Sequence, residues 1–386
     1  MHRFTQRVRA ERRSAFAPAA GLGLTAVGLT FLAGCGGGSG SAILPNPSPT
    51  VTASPSPSLA YSGTLERSDA QMRAVIQKFL SFNAPPVYTV TPQQARTLPT
   101  IADAVRGVLQ DQGRSTAPEP VASVQDRTVP GPAGAIPVRV YTPSGTGPFP
   151  VTVYYHGGGW VIATIDTYDS SCRAIANAAQ TVVVSVEYRK GPENRFPAAH
   201  EDAYVAFQYV ANNTAEFGGD PSRVATAGES AGGNLAVAVG LMSRDRGGKL
   251  PVYQLSVYPI ADNDTTRPSY NENAEAVPLN RPSMQYFFNN YLNTPAEGDN
   301  PLISLVQANL AGLPPTTVIT AEIDPLRSEG QDLATRLTAA GVSTRYRNYT
   351  GVTHEFFGTG AVVDKGKEAV AFAAEGLRSA FTQPAD

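Results

Sequence analysis

From Pro150 onward the sequence alternates short valine-rich runs with longer runs of helical periodicity. The valine-rich runs are apolar at nearly every position, as expected of strands that are buried on both faces. The intervening runs are long enough to form helices that cover those faces. Runs predicted as strands include PVTVYY, TVVVSVEY, RVATAGES, YQLSVYPI and TTVITAEID. The alternation therefore predicts an α/β fold in which a mostly parallel central sheet is covered by helices on both faces.

Two segments do not fit this alternation and are predicted to form a helical cap. Residues 65–118 precede the alternating part and carry helical patterns in DAQMRAVIQKFL and TPQQARTLPTIADAVRGVLQDQG. Residues 262–309 interrupt the alternation and contain one helical run, SMQYFFNNYL, among loops. We interpret the first segment as cap helices and the second as an insertion that completes the cap, within a domain that spans residues 65–386.

Residues 1–34 have the features of a secretory signal peptide. Five arginines and one acidic residue precede an apolar stretch that is shorter than the roughly 20 residues needed to cross a bilayer. The segment ends in LAGC, which resembles the lipobox of bacterial lipoproteins. That resemblance implies cleavage before Cys35 and diacylation of this cysteine. The alternative is an ordinary signal peptide in which Cys35 has no role.

Acyl chains on Cys35 would tie the exported protein to the bacterial cell envelope. Gly36 is not the aspartate that retains lipoproteins in the inner membrane, so the predicted location is the outer membrane of a Gram-negative cell. Residues 35–64 are rich in Gly, Ser, Pro and Thr and are almost uncharged, a composition that cannot bury enough apolar surface to fold. They are predicted to form a flexible linker between the anchor and the domain.

Charge and residue counts exclude several classes of function. The formal net charge is -2, and no basic stretch in the domain favours nucleic acid binding. Two cysteines, Cys35 and Cys172, cannot make a disulfide framework. The four histidines are scattered, without the spacing of a zinc site. The sequence thus predicts neither a metal nor an organic cofactor.

The pentapeptide GESAG at residues 228–232 identifies Ser230 as the candidate nucleophile. It follows the predicted strand RVATA and opens the helical run GGNLAVAVG. A strand, sharp turn and helix in this order is the context of the nucleophile elbow of α/β-hydrolases, where glycines leave room for a strained serine. The alternative is a serine that caps a helix at a tight turn.

A serine hydroxyl needs a general base within hydrogen-bond reach. His2 lies in the signal peptide, His156 opens a glycine run and His200 lies in a predicted helix. His354 lies in GVTHEFFG, between the run STRYRNYT and the last helix. Only His354 fits the chain order of serine, acid and histidine.

The acid is expected between Ser230 and His354, at the end of a strand. The run TTVITAEIDPLRSEG offers Glu322 and Asp324. Glu322 falls within the extended run, whereas Asp324 lies at the Asp-Pro turn and can reach back. Position therefore favours Asp324, whose role would be to orient the imidazole and stabilise its protonated form.

The run HGGGW at residues 156–160 follows the predicted strand PVTVYY. Consecutive glycines let backbone N–H groups approach a tetrahedral oxyanion without obstruction by side chains. The N–H groups of Gly158 and Gly159, together with that of Ala231 after the nucleophile, are predicted to form the oxyanion hole. The alternative is a flexible glycine turn.

The motifs together resemble the hormone-sensitive-lipase family of α/β-hydrolases, bacterial esterase family IV. The blocks that carry the resemblance occur in the family's order: HGGGW, EYRKGPENRFPAA, GESAGGN, DPLRSEG and GVTHEFFG. The resemblance covers roughly residues 85–380. It implies an α/β-hydrolase fold with a cap, a Ser230–Asp324–His354 triad and an oxyanion hole at Gly158, Gly159 and Ala231.

The chain departs from the family pattern at positions beside the reacting groups. Glu229 replaces the usual aspartate before the serine, and Glu355 follows the histidine where glycine is more common. Ser328 replaces a usual acid, and Lys190-Gly191 replaces Leu-Ala. No reacting group is lost, and Glu229 keeps the charge of the aspartate that it replaces, so we expect this exchange to be harmless.

The sequence predicts a serine carboxylesterase that acts on small-molecule esters of short to medium acyl length through an acyl-enzyme. The same triad would serve an amidase or a polysaccharide deacetylase, and these alternatives remain open. A non-catalytic binding lipoprotein is a further alternative, but it would be expected to lack at least one triad or oxyanion residue.

Overall fold

A computed structural model describes residues 62–382 of the chain. The predicted signal peptide, the predicted acylation site Cys35 and all of the predicted linker except its last three residues lie outside the described residues. Helix α1 begins at Ser62, so helical structure starts within the last three residues assigned to the linker.

Eight strands form one sheet in the order β1-β2-β4-β3-β5-β6-β7-β8. Strands β1 and β2 form an antiparallel hairpin, and β2 pairs antiparallel with β4; the remaining pairs are parallel. The strands are β1 Ser123–Gly131, β2 Gly134–Thr142, β3 Phe149–Tyr155, β4 Val182–Val186, β5 Gly219–Glu229, β6 Gln254–Val257, β7 Thr316–Ile323 and β8 Thr344–Thr353. The prediction of a mostly parallel central sheet is confirmed.

Helices cover both faces of this sheet. The α-helices are α1 Ser62–Arg67, α2 Ala70–Ser81, α3 Pro92–Ala95, α4 Ile101–Asp111, α5 Asp169–Ala179, α6 Ala198–Asn212, α7 Ala231–Arg246, α8 Pro268–Glu272, α9 Arg281–Tyr291, α10 Arg327–Ala339 and α11 Asp364–Phe381. Short 3₁₀ helices occur at Val87–Thr89, Thr214–Phe217, Pro295–Asp299, Leu305–Gln307 and Phe356–Thr359.

Alternate residues of the strands pack into cores on the two faces of the sheet. On one face, Tyr154 and Ala225 pack with helices α5 and α11 and with α2 and α4. On the other face, Val151 and Val153 pack with helices α6, α7 and α9. The valine-rich strands are buried on both sides, which explains why they lack the polar-apolar alternation of a half-exposed strand.

The predicted helical region at 91–113 contains two helices. Thr91 and Thr100 each accept a hydrogen bond from a backbone N–H in the first turn and start a separate helix with a capping box. Pro99 lies between the two helices, and a proline disfavours helical backbone at the preceding residue. The patterns in Ala70–Ser81 and Ile101–Asp111 were correctly predicted as helical; the break between α3 and α4 was not predicted.

Candidate active site

The candidate residues lie at the carboxyl ends of adjacent parallel strands. Strand β5 ends directly before Ser230, β7 directly before Asp324 and β8 directly before His354. Strand β3 ends at Tyr155, next to the glycine run. Carboxyl ends of parallel strands meet at one edge of a sheet, where open α/β folds place their ligand sites. The sheet thus brings together groups that are up to 198 positions apart, from His156 to His354.

Ser230 occupies a strained turn between β5 and α7. Its φ is 58° and its ψ is −118°, a backbone conformation that non-glycine residues rarely adopt. The serine N–H donates to the carbonyl of Val257 over 2.9 Å, which fixes the turn to strand β6. A side chain on Gly228 would overlap the carbonyl of Gly232, and one on Gly232 would overlap the carbonyl of Tyr155. The glycines of GESAG are therefore required by close backbone packing.

His354 and Asp324 are joined directly. The Nδ1 atom of His354 lies 2.7 Å from Oδ2 of Asp324, and both side chains are buried. Because the carboxylate accepts, Nδ1 carries the proton and Nε2 is left as the basic nitrogen. The other oxygen of Asp324 accepts the N–H of Leu326 over 2.9 Å, which fixes the carboxylate.

Glu322, the other candidate acid, points elsewhere. Its Oε2 accepts the N–H of Gly351 over 2.7 Å, and its Oε1 lies 3.7 Å from the guanidinium of Arg67. The structure therefore places Asp324, and not Glu322, against His354.

The electrostatics around His354 favour its protonated form. Burial by itself lowers the pKa of an imidazole, but the charge of Asp324 and its hydrogen bond outweigh burial and raise the pKa of His354 above its ordinary value. The carboxylates of Glu355 and Glu229 act in the same direction. A histidine whose protonated form is stabilised in this way is suited to accept a proton from a serine and return it to a leaving group.

Tyr258 connects the elbow to the histidine. It directly follows Val257, which accepts the N–H of Ser230. Its ring lies 4.5 Å from the ring of His354, centroid to centroid. Ser230 and His354 thus both contact the end of β6, Ser230 through Val257 and His354 through Tyr258.

The glycine run packs directly on the elbow. A Cβ built on Gly157 would lie 3.1 Å from the carbonyl of Glu229. Gly158 and Gly159 have φ values of 96° and 59°, in the left-handed region that favours glycine. A side chain on Gly159 would overlap the ring of Phe287 in helix α9. The run is therefore fixed between the nucleophile turn and the 262–309 insertion.

The predicted oxyanion donors are available for a ligand. Within residues 62–382, no hydrogen bond uses the N–H groups of Gly158, Gly159 or Ala231. Ala231 is the first residue of helix α7, where the unpaired N–H groups carry partial positive charge. The arrangement offers backbone donors beside Ser230.

The two remaining histidines of the described chain have structural partners. His156 packs on Tyr188 with 4.3 Å between ring centroids, and its Nδ1 lies 2.7 Å from the carbonyl of Gly157. His200 lies 2.9 Å from the hydroxyl of Tyr291 and 3.0 Å from Oδ1 of Asn234. Burial lowers the pKa of both histidines to about 4, so both are neutral at pH 7.

Residues 62–382 contribute no group of three or more His, Cys, Asp or Glu side chains with an arrangement that could hold a metal ion. The same residues include no helix of sufficient length and apolar character to span a bilayer.

Sequence reasoning missed a set of tyrosines around Glu229. The hydroxyls of Tyr154 and Tyr258 both donate to its buried carboxylate, and Tyr168 lies close by. These tyrosines come from three separate segments. The one signal available in the sequence was the pair of acidic residues, Glu229 and Glu355, that flank the reacting groups at positions atypical of the resembled family.

Comparison with known proteins identifies relatives of this chain. Residues 152–358 match the model of a family described as having the alpha/beta hydrolase fold. The carboxylesterase NlhH of Mycobacterium tuberculosis is 41% identical over 298 residues, which are 74% of this chain and 93% of NlhH. An arylesterase of Saccharolobus solfataricus is 34% identical over 244 residues, 62% of this chain and 79% of that protein.

Solved structures agree with these matches. A hyperthermophilic esterase from the archaeon Pyrobaculum calidifontis superposes with a TM-score of 0.74 at 37% identity and covers 81% of this chain and 98% of its own. An ester hydrolase from the metagenome of Lake Arreo also has a TM-score of 0.74, at 34% identity, and covers 82% of this chain and 100% of its own.

Proposed function

The chain belongs to the alpha/beta hydrolase fold family and, like its relatives, is an ester-hydrolysing enzyme, and we propose that it is a serine carboxylesterase of the hormone-sensitive-lipase type. The proposed substrates are small-molecule carboxylic esters of short to medium acyl length. The observation that carries the proposal is the 2.7 Å hydrogen bond between His354 and Asp324, with Ser230 at a strained turn on the same edge of the sheet.

In the proposed reaction, Oγ of Ser230 attacks the ester carbonyl carbon while its proton passes to Nε2 of His354. The tetrahedral intermediate collapses, the bond to the alcohol oxygen breaks, and the alcohol leaves with the proton from His354. Water then attacks the acyl-serine, again giving a proton to His354, and the carboxylic acid is released as Ser230 recovers its proton. Asp324 holds the imidazole in the required tautomer and stabilises its positive charge.

The oxyanion of each tetrahedral intermediate would be bound by the N–H groups of Gly158, Gly159 and Ala231. No competing hydrogen bond within the described chain engages them. Phe287, which packs against Gly159, would form a wall of the acyl site and limit the acyl chain. That position supports a preference for shorter esters.

The test is hydrolysis of p-nitrophenyl esters from acetate to dodecanoate by the purified protein. We expect the highest kcat/KM at short to medium chains and stoichiometric labelling by a fluorophosphonate. Ser230→Ala should abolish both. Hydrolysis that survives Ser230→Ala would contradict the proposal, and preferential cleavage of anilides or acetylated glycans in a parallel panel would redirect it to an amidase or a deacetylase.

We also propose that the enzyme is exported and anchored to the cell envelope through acylated Cys35. The motif LAGC and the linker at 35–64 support this proposal. Mass spectrometry of the mature protein should find acyl chains on an N-terminal cysteine. Membrane association that persists in Cys35→Ser, with no acyl mass in the wild type, would contradict it.

A further inference from the structure

Two glutamates besides the triad acid lie next to the reacting groups. Glu229 directly precedes Ser230, and Glu355 directly follows His354. Both carboxylates interact electrostatically with the imidazole of His354. The mechanism above assigns a role to neither of them.

Glu229 is enclosed by hydroxyl donors. Its side chain is 1% exposed, Tyr154 donates to Oε1 and Tyr258 donates to Oε2. The hydroxyl of Ser171 lies beside it and makes no hydrogen bond of good geometry within the described chain. A buried carboxylate with neutral donors and no cation is costly to ionise.

Glu355 is held in an unfavourable backbone conformation. Its φ is 68° and its ψ is 12°, in the left-handed region where glycine is favoured and a glutamate is strained. Its carboxylate accepts the hydroxyl of the buried Tyr168 over 2.8 Å. Strain of this kind persists where the surrounding structure enforces it, and it is often associated with function.

A small cavity lies between the two glutamates. Its volume is about 20 Å³, enough to hold one water molecule. Both glutamates, Tyr168 and Ser171 line it, and helix α4 contributes the uncharged residues Ile101, Ala102 and Val105. No residue that lines the cavity is basic. The two glutamates therefore share a polar cavity whose lining contains no positive charge.

We propose that Glu355 is a positioning residue for the ester hydrolysis proposed above: its carboxylate, held by Tyr168 and coupled to Glu229 across the cavity, stabilises the protonated imidazole of His354. The inference rests on the proposed function for its role in catalysis. The effect of Glu355 on the protonation of His354 can be measured without ester hydrolysis.

The titratable groups around Glu229 and Glu355 are consistent with this proposal. Burial, with a contribution from Glu355, raises the pKa of Glu229 to about 7, so near neutrality Glu229 is partly protonated. Glu355 is half-buried. The other titratable groups that face the pair or His354 are Tyr154, Tyr168, Tyr258, Cys172 and Asp324, and burial keeps the tyrosines and the cysteine neutral.

The test is the titration of His354 in Glu355→Gln, followed by imidazole NMR signals in the full chain carrying Ser230→Ala. Removing the charge should lower the pKa of His354 by roughly 0.3 to 1 unit, the effect of one partly screened nearby charge. The expected change in the pKa of His354 is limited because Glu229 ionises more readily once Glu355 is neutral, and its charge then partly replaces that of Glu355. With Ser230 intact, the acidic limb of kcat/KM should move to lower pH by the same amount.

Three variants separate charge from strain. Glu355→Gly also removes the carboxylate and suits the left-handed backbone, so it should shift the titration as Gln does and raise the Tm. Glu355→Asp keeps the charge and should stay nearer the wild type. Glu375→Gln removes an exposed carboxylate on helix α11 and should leave the titration unchanged. If Glu355→Gln does not fold, Glu355→Gly carries the same test.

An unshifted His354 titration in both Glu355→Gln and Glu355→Gly would overturn the inference, whatever happens to the rate. Loss of activity with no change in the acidic limb would mean that Glu355 is merely structural. Failure of the proposed function has a different signature, because ester hydrolysis would then be absent or independent of Ser230 in the wild type.

Discussion

The ring of Tyr258 lies against the imidazole of His354, with 4.5 Å between centroids and 50° between planes, while its hydroxyl donates to Glu229. One side chain thus contacts the proposed base and the buried carboxylate before the proposed nucleophile. The contact with the base is made by the ring, and the contact with the carboxylate by the hydroxyl, so the two can be separated by substitution.

Tyr258→Phe should keep the ring on His354 and remove one of the donors to Glu229. We expect the free energy of unfolding at pH 7 to fall by about 1–3 kcal/mol, the cost of a buried acceptor left unsatisfied. Urea denaturation measures this loss. The kcat should fall less in Tyr258→Phe than in Tyr258→Ala, which also removes the packing on the imidazole; equal losses of activity would mean that the ring contact is unimportant.

Asp324→Asn should lower kcat by about 10⁴-fold, because an amide in place of the carboxylate no longer fixes the required tautomer of His354. Glu322→Gln is the matched control. Its carboxylate is two positions away but bonds Gly351, so its effect on kcat should be less than about tenfold. Steady-state kinetics on p-nitrophenyl acetate distinguish the two, and similar losses in both variants would argue against Asp324 as the acid.

Gly159→Ala should lower kcat by about 10²–10³-fold, the usual effect of losing one oxyanion donor, because the added methyl collides with Phe287 and displaces the loop. The double variant Gly159→Ala/Phe287→Ala removes the collision and should recover part of the rate. Stopped-flow or steady-state kinetics provide the measurement. No recovery would indicate that the positive φ at position 159, and not the collision, is the dominant constraint.

The protein should become less stable in acid, because its buried histidines stay neutral in the folded state but take up protons in the unfolded state. The pKa of His200 is about 4 in the folded protein and near 6.5 when unfolded, so its contribution to stability is complete above pH 6.5 and is lost as the pH falls to about 4. His156 behaves alike. Glu229, whose pKa is raised to about 7, has the opposite slope between about pH 4.5 and 7.

The variant His200→Gln isolates one of these protons. The free energy of unfolding from urea titrations between pH 4.5 and 6.5 should depend on pH less steeply than in the wild type, by about 1.4 kcal/mol per pH unit. Comparison with the wild type cancels the slopes due to His156 and Glu229. Identical slopes would show that His200 does not remain neutral in the folded protein.

The sheet and the residues at its edge could be predicted from sequence because each follows from a local rule. Valine-rich runs indicate buried strands, and a motif that directly follows such a run falls at the carboxyl end of a strand. This rule placed Ser230 and Asp324 at one edge of the sheet, and the chain order of serine, acid and histidine identified His354. The choice between Glu322 and Asp324 was also accessible, since it depends on which residue follows the end of the strand.

The surroundings of Glu229 could not be predicted in this way. Its partner Tyr154 is 75 positions away and Tyr258 is 29 positions away, and neither spacing has a local signature. The exchange of aspartate for glutamate before Ser230 looked harmless in the sequence. In the structure the side chain is enclosed by tyrosines, and its ionisation depends on packing that only the assembled fold creates.

Because Ser230, Asp324 and His354 each directly follow the last residue of a strand, their relative positions depend on the register of the neighbouring strands. A slip of one residue in β7 or β8 would turn the acid or the base to the opposite face of the sheet. Phe287, the proposed wall of the acyl site, belongs instead to helix α9, outside the sheet. Laboratory evolution of substrate range can therefore concentrate on side-chain exchanges within residues 281–291, which do not change the register of the strands that carry the reacting groups.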